Sequence, residues 1–347
     1  MKKGKKLSAL LLAGLMMVSM TANVFAAEAT PGVTMNVTKE LVLAEGTKVP
    51  DVTFKFSAIK KTADAPDAVI APITYSEEDA KGDLADRVYR IFKDSQIQFG
   101  TFPHAGVYEY EVTETNEGAD GVTYSTNTYL LSVNVVNTDE GTLKISSIVV
   151  KKDGEKQDKV LFLNKYIKRG NKLEISKNTA GTLADKTKVF QFKIMIMQPP
   201  TETADPAIYE ARVEDEGGVT GTVNFKSGVE ATFTLRHGQK LVFENLPAGT
   251  RYNVTEVGVE DRYIPSVVVK ENGVERANQT GGDAIDLSTG SALVGEYGEN
   301  SVVFTNTFQD TPVTGLFMDN LPFILLGAVA VLAFAMLTVL KRKRIQN

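Results

Sequence analysis

The strongest constraint on this chain is that it is written twice. "MNVTKELVL", starting at residue 35, is answered by "LEISKNTAG", starting at residue 173. "FKFSAI" is answered by "FQFKIM", "VYEYEVTET" by "TRYNVTEVG", and "VLFLNKY" by "SVVFTNTF". The order is kept, and each segment recurs roughly 140 residues later. A chain of 347 residues divided this way contains two tandem units, each long enough for its own core, with "KYIKRGN" (165 to 171) as a short basic joint. The segments alternate apolar and polar residues and are rich in Val, Thr, Tyr and Phe, with Gly, Asn and Asp clusters between them. That pattern predicts an all-β fold, closed as a sandwich in each unit. "YSEEDAKGDLADR" (75 to 87) and "PPTETADPAIYEAR" (199 to 212) read as polar loops or a short helix.

Strand side chains alternate between faces, so each inward row can be read off. Met35, Val37 and Leu41 share a face with Lys39; Tyr108, Tyr110 and Val112 share one with Glu114; Val160 and Phe162 share one with Asn164. The second copy repeats this. Leu173 and Ile175 lead to Lys177, Tyr252 and Val254 to Glu256, and Val302 and Phe304 to Asn306. A Lys, a Glu and an Asn therefore lie on apolar rows, once in each unit. Burying a bare Lys and a bare Glu costs several kcal/mol unless they find partners. Two structural readings account for this: side chains at strand ends reaching water, or a buried salt bridge capped by an amide.

A third reading is a reaction. Burial lowers the pKa of Lys and raises that of Glu. A neutral amine is a nucleophile, and a protonated Glu donating to the Asn carbonyl would make that carbon electrophilic. Attack by the amine, with Glu114 or Glu256 shuttling protons, releases ammonia and leaves an amide between two strands. Such a link between Lys39 and Asn164, and between Lys177 and Asn306, would restrain the unfolded chain as a disulfide does, without being reducible. It would tie the first strand of each unit to its last.

The two ends carry addresses. "MKKGKKLSALLLAGLMMVSMTANVFAAEAT" has a basic start, a short apolar run and an Ala-bearing cleavage site, which predicts a secretory signal peptide over residues 1–26. Leu321 to Leu340 is uncharged, and at ~1.5 Å per residue a helix of it would span roughly 30 Å, the thickness of a bilayer's hydrocarbon core. Lys341 to Arg344 would hold that helix on the cytoplasmic side. The residues alone leave open whether this is a permanent anchor or a temporary hold.

The formal charge of −5 becomes more acidic when both basic ends are removed, which argues against nucleic acid as a partner. The chain has no Cys, no Trp, and only His104 and His237. That leaves little material for a metal site or a Cys/His nucleophile, and no Gly-rich phosphate loop is present, so neither a metal nor a cofactor is expected. A hydrolase would need a reactive cluster beyond the two Lys/Glu/Asn sets, and none stands out; the expectation is a protein that is not an enzyme beyond single-turnover bond formation within itself.

"VTK", "YEYEVTE" and "FLN", followed in order by "ISK", "YNVTE" and "FTN", resemble the isopeptide-forming domains of Gram-positive pilins, most closely the two-domain backbone pilins of streptococci. The resemblance covers nearly the whole chain. It implies two Ig-like β-sandwiches, 27–167 and 168–310, each with an intramolecular Lys-Asn bond assisted by Glu. It places these roles on Lys39, Glu114 and Asn164, then on Lys177, Glu256 and Asn306.

The same resemblance makes residues 311–347 a cell-wall sorting signal. "TPVTG" is similar to Leu-Pro-x-Thr-Gly, with Thr311 in place of Leu, then Pro312, Val313, Thr314 and Gly315. A sortase would cut between Thr314 and Gly315, making the membrane insertion transient. The implied product is a secreted fimbrial subunit on the surface or wall of a Gram-positive bacterium. Copies would be joined head to tail, with minor pilins and peptidoglycan as further partners. The Tyr-Pro-Lys acceptor motif of corynebacterial pilins is absent, and the streptococcal pattern points to Lys159, or Lys156, as acceptor. The alternative within the class is a minor or basal pilin, or a monomeric wall-anchored adhesin.

Overall fold

The computed structural model describes residues 30–309 apart from 260, 261, 277 and 283. The expected signal peptide, sorting pentapeptide, membrane segment and basic tail lie outside these residues. Everything regular among the described residues is β-strand, and no helix there is long and apolar enough to cross a membrane.

Two pairs of sheets follow one another along the chain. In the first pair, a five-stranded sheet runs in the order Ala68–Ile70, Val88–Phe99, Asn36–Ala44, Val160–Tyr166, Val122–Thr123. Its companion has six strands, in the order Glu155–Gln157, Leu143–Lys152, Thr128–Asn137, Gly106–Thr115, Val52–Lys60, Ile73–Tyr75. The second pair combines an eight-stranded sheet centred on Asn171–Ala180 and Ser301–Phe308 with a five-stranded sheet containing Phe190–Met197 and Thr250–Glu256. Inward rows such as Tyr108, Tyr110, Val112 and Tyr252, Val254 are buried, so the two-residue period of the sequence does place one face of each sheet in the core.

In both units the first and last strands lie side by side and parallel, which local hairpins cannot achieve. The registers coincide. Lys39 sits opposite Phe162, with Asn164 opposite Leu41. Lys177 sits opposite Phe304, with Asn306 opposite Thr179. Each Lys and its Asn are thus diagonal neighbours on one face, within reach of a long side chain. The first unit's apolar interior is divided into two clusters, one holding Val37, Tyr108 and Phe162 and the other Leu41, Phe54 and Tyr75, with Lys39 between them along its strand.

One expectation is corrected. The stretch 199–212 is not all loop or helix: Ile208–Asp215 is a strand paired with Lys240–Leu246 and Gly218–Lys226. Its alternation is real, with Tyr209 and Ala211 buried and Glu210 exposed, but the charges on the exposed face and the Pro-rich approach disguise a short strand as a polar loop.

The two units meet through polar contacts. The Arg251 guanidinium lies 2.6 Å from Glu45, Arg87 donates to the carbonyl of Gly249 at 2.8 Å, and the Lys48 amide donates to Glu296 at 2.8 Å. Gly249 has φ of 86°, and a Cβ there would stand 2.5 Å from that of Ala44. Both the backbone conformation and the close approach require glycine. Gly249→Ala should therefore strain the turn and push the units apart at Ala44, costing about 1–2 kcal/mol from the left-handed conformation alone. Thermal unfolding should report the loss, and small-angle scattering should report a broader range of inter-unit geometry than in the wild type. Unchanged scattering and stability would show that this contact does not set how the units sit.

Candidate functional site

The first site is assembled from both sheets. Lys39 and Asn164 come from the parallel pair, and Glu114 comes from Gly106–Thr115 on the facing sheet, where it sits opposite Phe56. Lys39 and Asn164 are 0% exposed, and so is the side chain of Glu114. The Lys39 Nζ is 2.7 Å from Oε1 of Glu114, and the Asn164 Nδ2 donates to that same oxygen at 3.1 Å. Lys39 also donates to the carbonyl of Phe162 at 3.2 Å. One carboxylate oxygen therefore touches both the amine and the amide nitrogen.

The second site has the same plan. Glu256 sits opposite Phe192 on the facing sheet, and Lys177, Glu256 and Asn306 are all 0% exposed. The Lys177 Nζ lies 3.0 Å from Oε1 of Glu256, and Asn306 Nδ2 donates to that oxygen at 2.9 Å. Lys177 meets Glu256 as an ion pair, and among the described residues Oε2 of Glu256 and Oδ1 of Asn306 have no hydrogen-bond partner. Burial pulls Lys177 down to about 8 against the opposing pull of Glu256, and it pushes the Glu256 carboxyl up. Burial does the same to Lys39, also to about 8, against the hydrogen bond and charge of Glu114.

Three phenylalanines complete each site. The Lys39 ammonium is 4.4 Å from the Phe54 ring and the Lys177 ammonium 4.4 Å from the Phe190 ring. Phe56 packs on Phe162 with ring centroids 5.5 Å apart, and Phe192 packs on Phe304 at 5.2 Å. The sequence reading placed Phe162 and Phe304 on the inward rows of Asn164 and Asn306 but did not single out Phe54, Phe56, Phe190 and Phe192, although the signal was there in the aligned "FKF" and "FQF". They dry the site, which strengthens every charge interaction inside it.

The reading from sequence had Glu donating to the Asn carbonyl. The structure places the amide the other way in both sites, with its nitrogen toward Glu. In the first site the reason is visible: the backbone N–H of Ser125 occupies the oxygen side, donating to Oδ1 of Asn164 at 2.8 Å. Sequence reasoning missed Ser125 entirely.

Of the remaining expected residues, Lys156 and Lys159 are exposed. Lys156 lies in the short edge strand Glu155–Gln157, and Lys159 just before Val160, with its Nζ 5.9 Å from the ring of half-exposed Phe92. Thr311, Pro312, Val313, Thr314 and Gly315 lie outside the described residues.

Residues 35–167 match the family described as "Spy0128-like isopeptide containing domain", and residues 171–307 match "Domain of unknown function (DUF7601)". The chain is 26% identical over 345 residues to a curated "Pilin" of Streptococcus pyogenes serotype M1, covering 94% of this chain and 96% of that one. It is 34% identical over 155 residues to "Pilus tip adhesin Cpa" of Streptococcus pyogenes, covering 43% of this chain but only 18% of the adhesin. Among solved structures it is similar to the major pilin of Streptococcus pyogenes, at 23% identity and a TM-score of 0.37, covering 80% of this chain and 99% of that one.

The pKa directions make a test in protein whose second site cannot cross-link. In an Asn306→Ala chain, Lys177 prefers its neutral form when folded, at about 8 against the usual 10.5. Between these values the unfolded chain binds more protons than the folded one, so stability rises with pH across that window. The rise is on the order of 3 kcal/mol. Denaturant midpoints between pH 7.5 and 10.5 should show it, and a Lys177→Met, Asn306→Ala double variant should lack it. Equal slopes in the two variants would mean that Lys177 is not held in a proton-shedding environment.

Proposed function

We propose that this chain, a structural pilus subunit of the streptococcal pilin type, welds each of its two sandwiches shut by a Lys–Asn isopeptide bond before being joined to its neighbours. The observation that carries this is the duplicated placement of a buried amine and a buried amide on one carboxylate oxygen, at the same register in both units. A structural pair alone would need only Lys and Glu; the Asn adds a carbon that the amine can attack.

The chemistry balances without a co-reactant. Lys39 passes a proton to Glu114, and the neutral amine attacks Cγ of Asn164. A second amine proton moves by way of Oε1 to Nδ2, the Cγ–Nδ2 bond breaks, and ammonia leaves with Glu114 protonated. Oε1 already touches both nitrogens, so the transfer needs no rearrangement. Lys177, Glu256 and Asn306 would follow the same course. Each site turns over once, which fits a structural protein and not an enzyme acting on others. The units that this treats as separate domains are 27–167 and 168–310.

Assembly is read from the ends. A signal peptide over 1–26 brings the chain to the surface of a Gram-positive cell, and the segment 321–340 holds it there while a sortase cuts after Thr314. The resulting Thr314 carbonyl is transferred to a Lys of the next copy, for which exposed Lys159 is the first choice and Lys156 the second. The full-length likeness to a curated pilin supports this over the basal or monomeric adhesin reading, since the adhesin likeness covers only a fraction of that larger protein.

Expressed with its own sortases, the wild-type chain should give a ladder of polymers on a denaturing gel. Thr314→Ala should leave it uncut in the membrane fraction, and Lys159→Ala should be cleaved and wall-attached but give no ladder. A ladder that persists in Lys159→Ala moves the acceptor to another lysine. No ladder from the wild type would replace the backbone role with that of a monomeric wall protein.

A further inference from the structure

We infer that the backbone N–H of Ser125 is a catalytic donor for the first bond, stabilising the negative charge that forms on Oδ1 of Asn164 when Lys39 attacks. The inference rests on the cross-link reading above and adds a group to it. When the amine adds to Cγ, the carbonyl π electrons move onto Oδ1, and that oxygen needs a donor already in place. Glu114 cannot serve, because its Oε1 is engaged with the two nitrogens between which the proton moves. The Ser125 N–H stands 2.8 Å from Oδ1, within the range such a donor requires, and it lies 3.0 Å from Oε2 of Glu114. One N–H thus bridges the two groups and fixes the amide with its oxygen away from the carboxylate and its leaving nitrogen toward it. As charge grows on Oδ1 and Glu114 becomes protonated, the shared hydrogen bond shifts toward the oxygen that is gaining charge.

The position of Ser125 is built for this. It follows the two-residue strand Val122–Thr123, which pairs with Lys165 and Tyr166 immediately beyond Asn164. That pairing draws the connection between Gly106–Thr115 and Thr128–Asn137 over the site. The Ser125 hydroxyl is turned away and accepts from the Asn127 N–H, so the main chain and not the side chain faces the amide. A cleft lined by Glu114, Asn116, Tyr124 and Ser125 lies beside this loop. In the second site no donor among the described residues reaches Oδ1 of Asn306, so the device belongs to the first unit and is not part of the duplicated plan.

The test follows the two bonds separately in freshly made full-length chain. Cell-free synthesis is quenched at intervals in acid, and peptide mapping counts Lys39–Asn164 and Lys177–Asn306 links. Ser125→Ala keeps the N–H and should form both bonds at the wild-type rate. Ser125→Pro removes it and should slow the first bond about 100-fold or more, the usual effect of losing one such donor, with the second bond unchanged. If proline disturbs folding of the first unit, as shown by loss of hydrogen-exchange protection in the strands of residues 36–166, the α-hydroxy acid analogue of serine at 125 replaces only N–H by an ester oxygen and should give the same selective slowing with that protection kept. A first bond formed at the wild-type rate in the ester chain overturns the assignment. Absence of the Lys39–Asn164 link in the wild type itself would instead overturn the cross-link reading beneath it.

Discussion

The structure depends on a charged layer where a sandwich would ordinarily have none. Lys39 lies between two apolar clusters with its ammonium on the buried carboxylate of Glu114, and Lys177 and Glu256 are buried in the second core. Removing either partner of such a pair alone leaves a stranded charge and costs about 3–5 kcal/mol, whereas apolar residues in both places would often be as stable or more so. Stability by itself therefore does not explain why the layer is there. The phenyl rings around each ammonium, and the amide sharing the carboxylate oxygen, make sense if the pair is a reactant. The same desolvation that makes the ion pair expensive supplies a neutral amine at an accessible pH.

Topology decides what such a bond would do. The first and last strands of each unit are parallel neighbours, and the Lys and Asn sit on those two strands. In the proposed fibre, tension taken up at Lys159 would enter the first unit directly at its last strand, Val160–Tyr166, and pass on to Asn171–Ala180, the first strand of the second unit, leaving by Ser301–Phe308. There a Lys177–Asn306 link would carry the load past the rest of the sandwich, whereas in the first unit the Lys39–Asn164 link would fasten the first strand to the strand that bears the load. The absence of cysteine is consistent with this, since an amide does the work of a disulfide and cannot be reduced.

Much of this was legible in the sequence because the chain supplies its own second copy. One Lys on an apolar strand face is ambiguous; Lys39 and Lys177, each with a Glu and an Asn in the same order, is a pattern, and strand alternation put all six inside. What failed was local. The strand Ile208–Asp215 hid its period behind exposed charges, because a strand with one wet face carries only every second residue as signal. The amide orientation depended on a loop from elsewhere in the fold, and the Ser125 N–H is a main-chain group that no residue type announces. The aromatic shell was written in the aligned "FKF" and "FQF", but an apolar residue on an inward face looks like ordinary core until the ammonium is seen against it.

The most direct measurement is the intact mass, under denaturing conditions, of a recombinant fragment spanning residues 27–314. The account predicts a mass lower than that of the sequence by two ammonia molecules, with peptide mapping joining Lys39 to Asn164 and Lys177 to Asn306. It further predicts that Glu114→Ala and Glu256→Ala each restore one ammonia. A fragment with the full sequence mass would show that both sites are no more than buried salt bridges capped by an amide, and would contradict the central claim.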